Sequence, residues 1–480
     1  MDNISSLKPQ NVFEMFRKIS TVPRGSGNTG AIADFCVEYA KKSGCKYERD
    51  NANNVIIYVK ASKGYENREP VILQGHIDMV CVKTEDCTKD MSKDAINLCT
   101  DGEYISAEKT TLGGDDGIAV AYMLALLEDK DAQHPALELL FTSDEEIGMI
   151  GAHALDGNLL KASRLINIDS EAGGVLTVSC AGAVRAVCQL PVNLKKASGS
   201  CYRVSITGLR GGHSGVEINK GRLNANKLLA RMLNFVCQET PFKICNISGG
   251  KTYNAIPVES QAVVCVDKSN AESFEKAVGH FGVMVKNERI KSEPNPSVNL
   301  ETCENPTLCM DLHSTQKVLF TLLQAPDGVQ AMSPDIPNMV QTSLNFGILE
   351  TNADNVLMRF MLRSNAAMGK QAIVEKLKSF IEYLGGRIEF MSDYPAWEYR
   401  PESKLRDVMT ETYVELFGNE PVVTALHAGL ECGILAGKID NMDAVSFGPN
   451  ILNAHTPNEK MEIASVGRCW DYLKEVLKRL

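Results

Sequence analysis

The stretch "FTSDEEIGMIGAH" (residues 141–153) places Asp144, Glu145 and Glu146 directly behind the apolar run "ALELLF". That run predicts a buried strand, and open α/β sheets place their sites in the loops that follow strands. A local alternative exists, because Ser143 followed three residues later by Glu146 matches a capping box, and acidic residues favour a helix N-terminus. The stretch alone therefore leaves two interpretations open, a helix start and half of a catalytic site.

Composition limits the classes of protein to be considered. The chain has 480 residues, so its length predicts two to four domains. Its net charge of −10 argues against a nucleic-acid partner or an anionic membrane surface. The sequence shows no run of about 18 apolar residues that would span a membrane, and its N-terminus lacks the pattern of a secretory signal. The 15 cysteines form no C-x-x-C pairs, so we expect reduced thiols in a cytoplasmic protein.

The pattern of predicted elements changes along the chain. Residues 1–185 alternate strands and helices, which predicts an α/β domain with a central, mostly parallel sheet covered on both faces. Residues 186–391 read as α+β, with two similar sets of elements that suggest a degenerate duplication. A Pro- and Asn-rich connection, residues 291–307, separates the two sets. The first pattern resumes at 392–480, so we predict a discontinuous α/β domain interrupted by an inserted α+β domain.

Polar residues recur at the predicted strand ends. His76 and Asp78 end an apolar strand and share a face, because strand side chains alternate. A carboxylate often orients a histidine that binds metal, although an exposed His–Asp pair on the surface explains the pattern equally well. Asp169 ends another strand, where a simple Asx turn is the alternative.

Two further stretches carry candidate ligands. Asp115 and Asp116 follow a glycine turn and precede a buried helix, where Asp116 is a candidate N-cap and Asp115 a candidate ligand shared by two metals. His455 lies in a polar loop near the chain end, and an isolated histidine there would more often be a surface residue. Two imidazoles and three carboxylates without cysteine suit a catalytic zinc site. The candidate metal ligands are His76, Asp115, Glu146, Asp169 and His455.

The motifs "GHIDMV", "TLGGDDG", "SDEEIG", "NIDSE" and "NAHTPNE" follow one another in this order. Together they resemble the motif set of the co-catalytic zinc peptidases, the family of glutamate carboxypeptidase, succinyl-diaminopimelate desuccinylase and carnosinase. Within that family the chain is most similar to the bacterial aminoacyl-histidine (Xaa-His) dipeptidases, and the similarity extends over residues 1–480 and includes the insertion. The resemblance implies an α/β catalytic domain (residues 1–185 and 392–480) and an inserted lid domain (residues 186–391).

The resemblance also implies a role for each metal ligand. His76 and Asp169 would hold one Zn²⁺, Glu146 and His455 the other, and Asp115 would bridge the two. Mn²⁺ or Co²⁺ are alternative metals.

Two carboxylates have implied catalytic roles. Asp78 would orient His76. Glu145 would be the general base that takes a proton from the metal-bound water and later delivers it to the leaving amine.

The insertion contributes further implied site residues. His213, in "GLRGGHSGVEIN", would stabilise the carbonyl oxyanion, although a capped β-to-α turn is the local alternative. Asn254 would contact the substrate. Arg363 would bind the C-terminal carboxylate with its planar guanidinium, unless it is a surface arginine beside a strand. His427 and Glu431 lie in a segment that resembles the border of the family's cleft, without an assigned role.

The implied activity is that of a cytoplasmic, homodimeric metallodipeptidase with two Zn²⁺ per chain. It would hydrolyse unblocked dipeptides, including Xaa-His dipeptides such as carnosine. Two alternatives remain at this point: an N-acyl-amino-acid deacylase with the same zinc chemistry, and a non-catalytic metal-binding relative.

Overall fold

A computed structural model of the chain describes residues 4–288, 293, 295–304 and 306–480. The α-helices of these residues are α1 (Gln10–Ile19), α2 (Gly30–Lys42), α3 (Gly114–Glu128), α4 (Ile150–Ala154), α5 (Ala225–Glu239), α6 (Ala271–Glu288), α7 (Leu312–Gln324), α8 (Ala367–Tyr383), α9 (Lys404–Phe417), α10 (Glu431–Ala436) and α11 (Ile463–Arg479). Among the described helices, none combines the length and apolar content needed to cross a membrane.

The first strands in the chain are β1 (Lys46–Arg49), β2 (Val55–Val59), β3 (Val71–His76), β4 (Leu98–Thr100), β5 (Tyr104–Ala107), β6 (Leu137–Thr142), β7 (Arg164–Asn167) and β8 (Val175–Cys180). The middle strands are β9 (Gly182–Pro191), β10 (Leu194–Lys196), β11 (Ser200–Thr207), β12 (Gly212–His213), β13 (Phe242–Gly249), β14 (Ala255–Ile256), β15 (Ser260–Val266), β16 (Ser297–Thr302), β17 (Leu308–Met310), β18 (Gly328–Met332), β19 (Val340–Thr351), β20 (Asn355–Ser364) and β21 (Arg387–Tyr394). The last are β22 (Val422–Leu426), β23 (Asp443–Ser446), β24 (Ile451–Leu452) and β25 (Lys460–Glu462).

The chain divides into two compact units. Unit 1 comprises Met1–Ser179, Tyr399–Ala425 and Leu430–Leu480, and unit 2 comprises Cys180–Glu398 and Leu426–Gly429. The domain boundaries proposed from the sequence, at 185/186 and 391/392, stay predictions.

Unit 1 is built on an eight-stranded sheet with the order β1-β2-β6-β3-β7-β23-β8-β22. The four central strands β6, β3, β7 and β23 are mutually parallel, whereas β1, β2 and β8 pair with their neighbours in antiparallel fashion. The predicted α/β class is therefore confirmed, with its parallel strands concentrated at the centre of the sheet. Because those strands run the same way, their carboxyl ends meet at one edge.

Helix α3 explains why β3 contains a glycine next to its last residue. The helix is buried on nearly all sides and packs against α1 and β3. A Cβ atom added to Gly75 would lie 2.5 Å from the Cβ of Ala119, far inside van der Waals contact. The absence of a side chain at Gly75 lets helix and strand approach closely just before His76.

Unit 2 is an α+β unit, as the sequence predicts. Its nine-stranded sheet has the order β16-β11-β15-β13-β19-β20-β9-β21, with β18 paired to β19. Its core combines side chains from the sheet strands with those from α5, α6, α7 and α8. The order helix, two long strands, helix occurs twice, as α5, β13, β15, α6 and as α7, β19, β20, α8. The duplication itself stays a prediction.

Two expectations about this unit need correction. The Pro- and Asn-rich stretch 291–307 is not merely a connection, because β16 lies within it and pairs with β11 at the sheet edge; its residues 291, 292, 294 and 305 lie outside the described residues. The expectation of reduced thiols is wrong for one pair, since the structure joins Cys201 and Cys265 in a disulfide. These cysteines face each other on paired strands, with Cα atoms 4.4 Å apart.

The core of unit 2 can be tested at Leu233 in α5, which is 0% exposed. We expect Leu233→Ala to lower the free energy of unfolding by about 2–5 kcal/mol, because it removes buried methyl groups and leaves a cavity. Urea unfolding followed by circular dichroism measures this. Tyr383→Ala, at a side chain that is 90% exposed, is the control that should leave stability unchanged; equal midpoints for the two variants would contradict the assignment of the core.

Candidate metal centre

The candidate ligands come from the shared edge of the parallel strands in unit 1. His76 is the last residue of β3, Glu146 follows β6, and Asp169 follows β7. The adjacent parallel strands carry all three side chains to the same end of the sheet. Parallel pairing thus brings together residues that lie far apart in the sequence.

Asp115 lies between the two histidines of the predicted site. Its Oδ1 is 3.1 Å from Nε2 of His76, and its Oδ2 is 3.1 Å from Nε2 of His455. Burial favours the neutral acid, yet hydrogen bonds from His455 and His76 hold the pKa of Asp115 below its usual range. One carboxylate that offers a separate oxygen to each imidazole is the arrangement expected of a ligand shared by two cations.

Two other carboxylates complete the cluster. Asp169 Oδ1 lies 3.8 Å from Nε2 of His76, and Glu146 Oε1 lies 2.8 Å from Nε2 of His455. Although that second contact is close, Glu146 Oε1 is buried and has no hydrogen-bond partner among the described residues. The structure therefore brings the five predicted ligands together.

The donor set fits divalent cations. The ligand atoms of Asp115, Glu146 and His455 all lie within 4.8 Å of one another, and imidazole nitrogens with carboxylate oxygens suit zinc and related metals. The hydrogen bond to Asp115 and the close approach of the Glu146 carboxylate raise the pKa of His455 to about 10. The carboxylates around His455 thus favour positive charge at this place, as a site for divalent cations requires.

Asp78 is buried beside His76 and organises the loop after β6. Its Oδ1 lies 3.3 Å from Nδ1 of His76. The same carboxylate accepts hydrogen bonds from the backbone N–H groups of Glu145 (3.0 Å) and Glu146 (3.3 Å) and from the hydroxyl of Ser26 (2.7 Å). Asp78 is thus placed both to orient the His76 ring and to fix the backbone that carries the two glutamates.

The capping-box interpretation of the opening stretch is wrong. Helix α4 begins at Ile150, and the residue before it, Met149, makes no side-chain cap. Ser143 instead donates its hydroxyl to the backbone carbonyl of Ala52. The N–H groups of Gly148 and Met149 donate to the carbonyl of Glu145, so the acidic residues occupy a tight turn between β6 and the helix.

Asp116 does not cap the buried helix with its side chain. Gly113 precedes α3, and Asp115 and Asp116 in its first turn have non-helical backbone dihedrals. The carboxylate of Asp116 instead accepts a hydrogen bond from the backbone N–H of His76 at 3.1 Å. Its role is to tie the end of β3 to α3.

Glu459 is a site residue that sequence reasoning missed. Its buried carboxylate accepts hydrogen bonds from the backbone N–H groups of Leu112 (2.8 Å), Gly113 (3.0 Å), Gly114 (2.7 Å) and Asp115 (3.4 Å). It therefore holds the glycine turn that positions Asp115. The available signal was its place at the end of "NAHTPNE", four residues after His455.

His213 of unit 2 is held in one tautomer. Its Nδ1 accepts hydrogen bonds from the backbone N–H groups of Gly215 and Val216, each at 3.2 Å. Burial, and next the charge of Arg363, lower the pKa of His213. A neutral ring whose Nδ1 accepts must carry its proton on Nε2, which makes Nε2 a hydrogen-bond donor.

The remaining unit 2 candidates have different surroundings. Arg363 is buried and donates to the hydroxyl of Tyr394 at 3.3 Å, whereas the side chain of Asn254 is exposed. His427 lies between Ser343 Oγ (2.8 Å) and Asn365 Oδ1 (3.0 Å). Burial and the charge of Arg363 lower the pKa of His427 to about 3, so this ring is neutral.

The role of Glu459 predicts a specific loss of stability. We expect Glu459→Ala to lower the free energy of unfolding by about 2–4 kcal/mol, because backbone N–H groups of the glycine turn lose a charged acceptor. Chemical denaturation measures the effect. Asp471→Ala removes an exposed carboxylate and should change stability by less than about 0.5 kcal/mol; a Glu459→Ala midpoint equal to that control would refute the role.

The chain is similar to known dipeptidases over its full length. The cytosol non-specific dipeptidase of Escherichia coli (strain K12) is 37% identical over 482 residues, which cover 100% of this chain and 99% of that protein. The structure of aminoacylhistidine dipeptidase from Vibrio alginolyticus matches with a TM-score of 0.93 and 34% identity, over 100% of this chain and 98% of that one. The di-peptidase Dug1p from Saccharomyces cerevisiae shares the fold alone, with a TM-score of 0.53 and 14% identity over 99% and 96% of the two chains.

The family resemblance of the five motifs is confirmed. Residues 72–479 match peptidase family M20/M25/M40, and this range includes every candidate metal ligand. The chain belongs to peptidase family M20/M25/M40 and is a metal-dependent peptide hydrolase.

Proposed function

We propose that this peptidase hydrolyses unblocked dipeptides, Xaa-His dipeptides among them, in the cytoplasm. The observation that carries the proposal is the Asp115 carboxylate, which faces His76 with one oxygen and His455 with the other. The full-length similarity to the E. coli cytosol non-specific dipeptidase supports both the substrate class and the compartment.

The proposed cofactor is a pair of Zn²⁺ ions per chain. His76 and Asp169 would hold one ion, Glu146 and His455 the other, and Asp115 would bind both. Bound zinc supplies acidity to the attacking water and polarises the scissile carbonyl.

Glu145 is the proposed general base. Its side chain shares a group with His76 and Glu146 whose ligand atoms lie within 4.8 Å of one another. Burial raises the pKa of Glu145 to about 8, so its carboxylate is able to hold a proton near neutral pH. In the proposed reaction this carboxylate takes a proton from the attacking water and then gives it to the leaving amine.

Three residues of unit 2 are proposed to act on the substrate, on the strength of the family resemblance. His213 would donate from Nε2 to the oxyanion, which fits the tautomer set by Gly215 and Val216. Arg363 would bind the C-terminal carboxylate, and Asn254 would contact the peptide. We further propose that unit 2 is the lid and that the enzyme is a homodimer.

A substrate panel tests the proposed activity. We expect the enzyme to release amino acids from unblocked dipeptides, including carnosine, to lose activity with a chelator, and to regain it with added Zn²⁺. The measurement is amino-acid release with and without chelator. Turnover of N-acyl amino acids but not of dipeptides would identify the protein as a deacylase instead. If the zinc-loaded chain turned over no substrate, the protein would be a non-catalytic relative.

Substitutions of the neighbouring residues Glu145 and Glu146 should affect different properties of the enzyme. Glu145→Gln should keep two bound Zn²⁺ and lose about 10²–10⁴-fold in kcat, because the amide cannot accept the proton. Glu146→Gln should instead weaken one zinc site. Metal analysis after dialysis, run beside kinetics, separates the two effects. Near-normal turnover by Glu145→Gln would show that the base is another residue.

A further inference from the structure

Glu431 is the unusual polar group of unit 1, because its carboxylate is fully buried yet belongs to none of the ligand groups. It is the first residue of α10. Its Oε2 accepts hydrogen bonds from Gln74 Nε2 at 2.6 Å and from Thr142 Oγ1 at 2.5 Å. A buried carboxylate is costly to keep unless it is well hydrogen-bonded, so a function for these contacts is to be expected.

The contacts of Glu431 continue across the sheet. Gln74 Oε1 accepts a hydrogen bond from Asn167 Nδ2 at 2.6 Å, and Gln74 Nε2 also lies 3.0 Å from Thr142 Oγ1. Glu431, Gln74, Thr142 and Asn167 are all 0% exposed. We call these four side chains the polar layer.

Two residues of the polar layer, Gln74 and Asn167, lie two positions before the candidate ligands His76 and Asp169 in the chain. Gln74 precedes His76 by two residues on β3, so these two side chains share a face of the sheet. Asn167 is the last residue of β7, two residues before Asp169. Gln74 is paired in register with Asn167, and His76 with Thr142. The layer therefore links β3, β6 and β7 just where they deliver His76, Glu145, Glu146 and Asp169.

We propose that Glu431 is a positioning residue that, through the hydrogen bonds of the polar layer, fixes the relative placement of the three strand ends that carry the metal ligands. This role is exerted through Gln74 and Thr142, the side chains that donate hydrogen bonds to Glu431. The inference rests on the ligand set of the proposed function and extends it to the residues behind those ligands.

Hydrogen bonds behind the ligands of a metal site commonly set its affinity, and their loss weakens binding by about 10- to 100-fold. Glu431→Ala removes the shared acceptor of Gln74 and Thr142, so the strand ends lose their common partner. Glu431→Gln keeps an oxygen that can accept from both. The proposal therefore expects Zn²⁺ affinity to fall by about 10- to 100-fold in Glu431→Ala and to stay close to wild type in Glu431→Gln.

Glu138 provides a matched control, because it is a buried glutamate in β6, the strand that also contains Thr142 of the polar layer. Its carboxylate is also buried and accepts hydrogen bonds from the backbone N–H groups of Lys161 (3.0 Å) and Ala162 (3.2 Å). It lies toward the opposite end of β6 from Thr142. Glu138→Ala should lower thermal stability and leave Zn²⁺ affinity unchanged, which separates positioning from a general loss of stability.

The experiment is a chelator competition that measures Zn²⁺ affinity in the full chain, combined with thermal unfolding of the metal-free proteins. Thr142→Val, which removes one hydroxyl of the polar layer at constant size, gives a second test if Glu431→Ala does not fold, and its Zn²⁺ affinity should also fall. At saturating Zn²⁺ we expect Glu431→Ala to reduce kcat rather than to raise KM, because the proposed role of Glu431 is to position the metal ligands and not to bind the substrate.

The outcomes are distinct. A Zn²⁺ affinity equal to that of the wild type in Glu431→Ala or in Thr142→Val would overturn the inference. It would not contradict the proposed set of metal ligands. Equal losses in Glu431→Gln and Glu431→Ala would also overturn it, because the buried charge and not the hydrogen bonds would then be responsible. A wild-type chain that bound no Zn²⁺ would overturn the proposed function, and this inference with it.

Discussion

The parallel pairing of β3 with β6 and β7 is the constraint on which the candidate site depends. It brings His76, Glu146 and Asp169 to one edge of the sheet, although they come from three separate segments of the chain. Parallel strands require long crossover connections, and the buried helix α3 lies in the connection that follows β3. The same connection delivers Asp115 to the sheet edge. The topology of the sheet therefore determines which residues come together in the candidate site.

The site concentrates carboxylates that would repel one another without compensating positive charge. Asp115, Glu146 and Asp169 lie around two imidazoles, while Asp78 and Glu459 are buried nearby with their charges directed at N–H groups. Burial of unpaired carboxylates is strongly unfavourable. The outer carboxylates are stabilised by backbone donors, and the inner ones suit the cations of a metallopeptidase. This division explains why some acidic residues of the motifs are ligand candidates and others hold the loops.

Local sequence patterns predicted these strands and helices correctly but predicted the helix N-caps incorrectly. The apolar strand before Glu145 and the buried helix after Asp116 are both present in the structure. However, Ser143 and Glu146 do not form a capping box, and Asp116 is not an N-cap, because each finds a more distant partner. The carboxylate of Glu459 also acts on residues more than 340 positions away in the chain. Patterns of three or four residues cannot reveal such contacts, since they arise only when the sheet and its loops have assembled.

The sequence by itself determined the α/β class of unit 1, the α+β class of unit 2, the family and the identity of the candidate ligands. Apolar periodicity encodes elements, and the order of the five motifs encodes the family. Only the tertiary structure decided that Asp115 faces both histidines, that Asp78 and Glu459 hold the surrounding loops, and that Glu431 lies beneath the strand ends. The physical reason is that a hydrogen bond between distant residues depends on strand register and side-chain direction, which no single segment of the chain specifies.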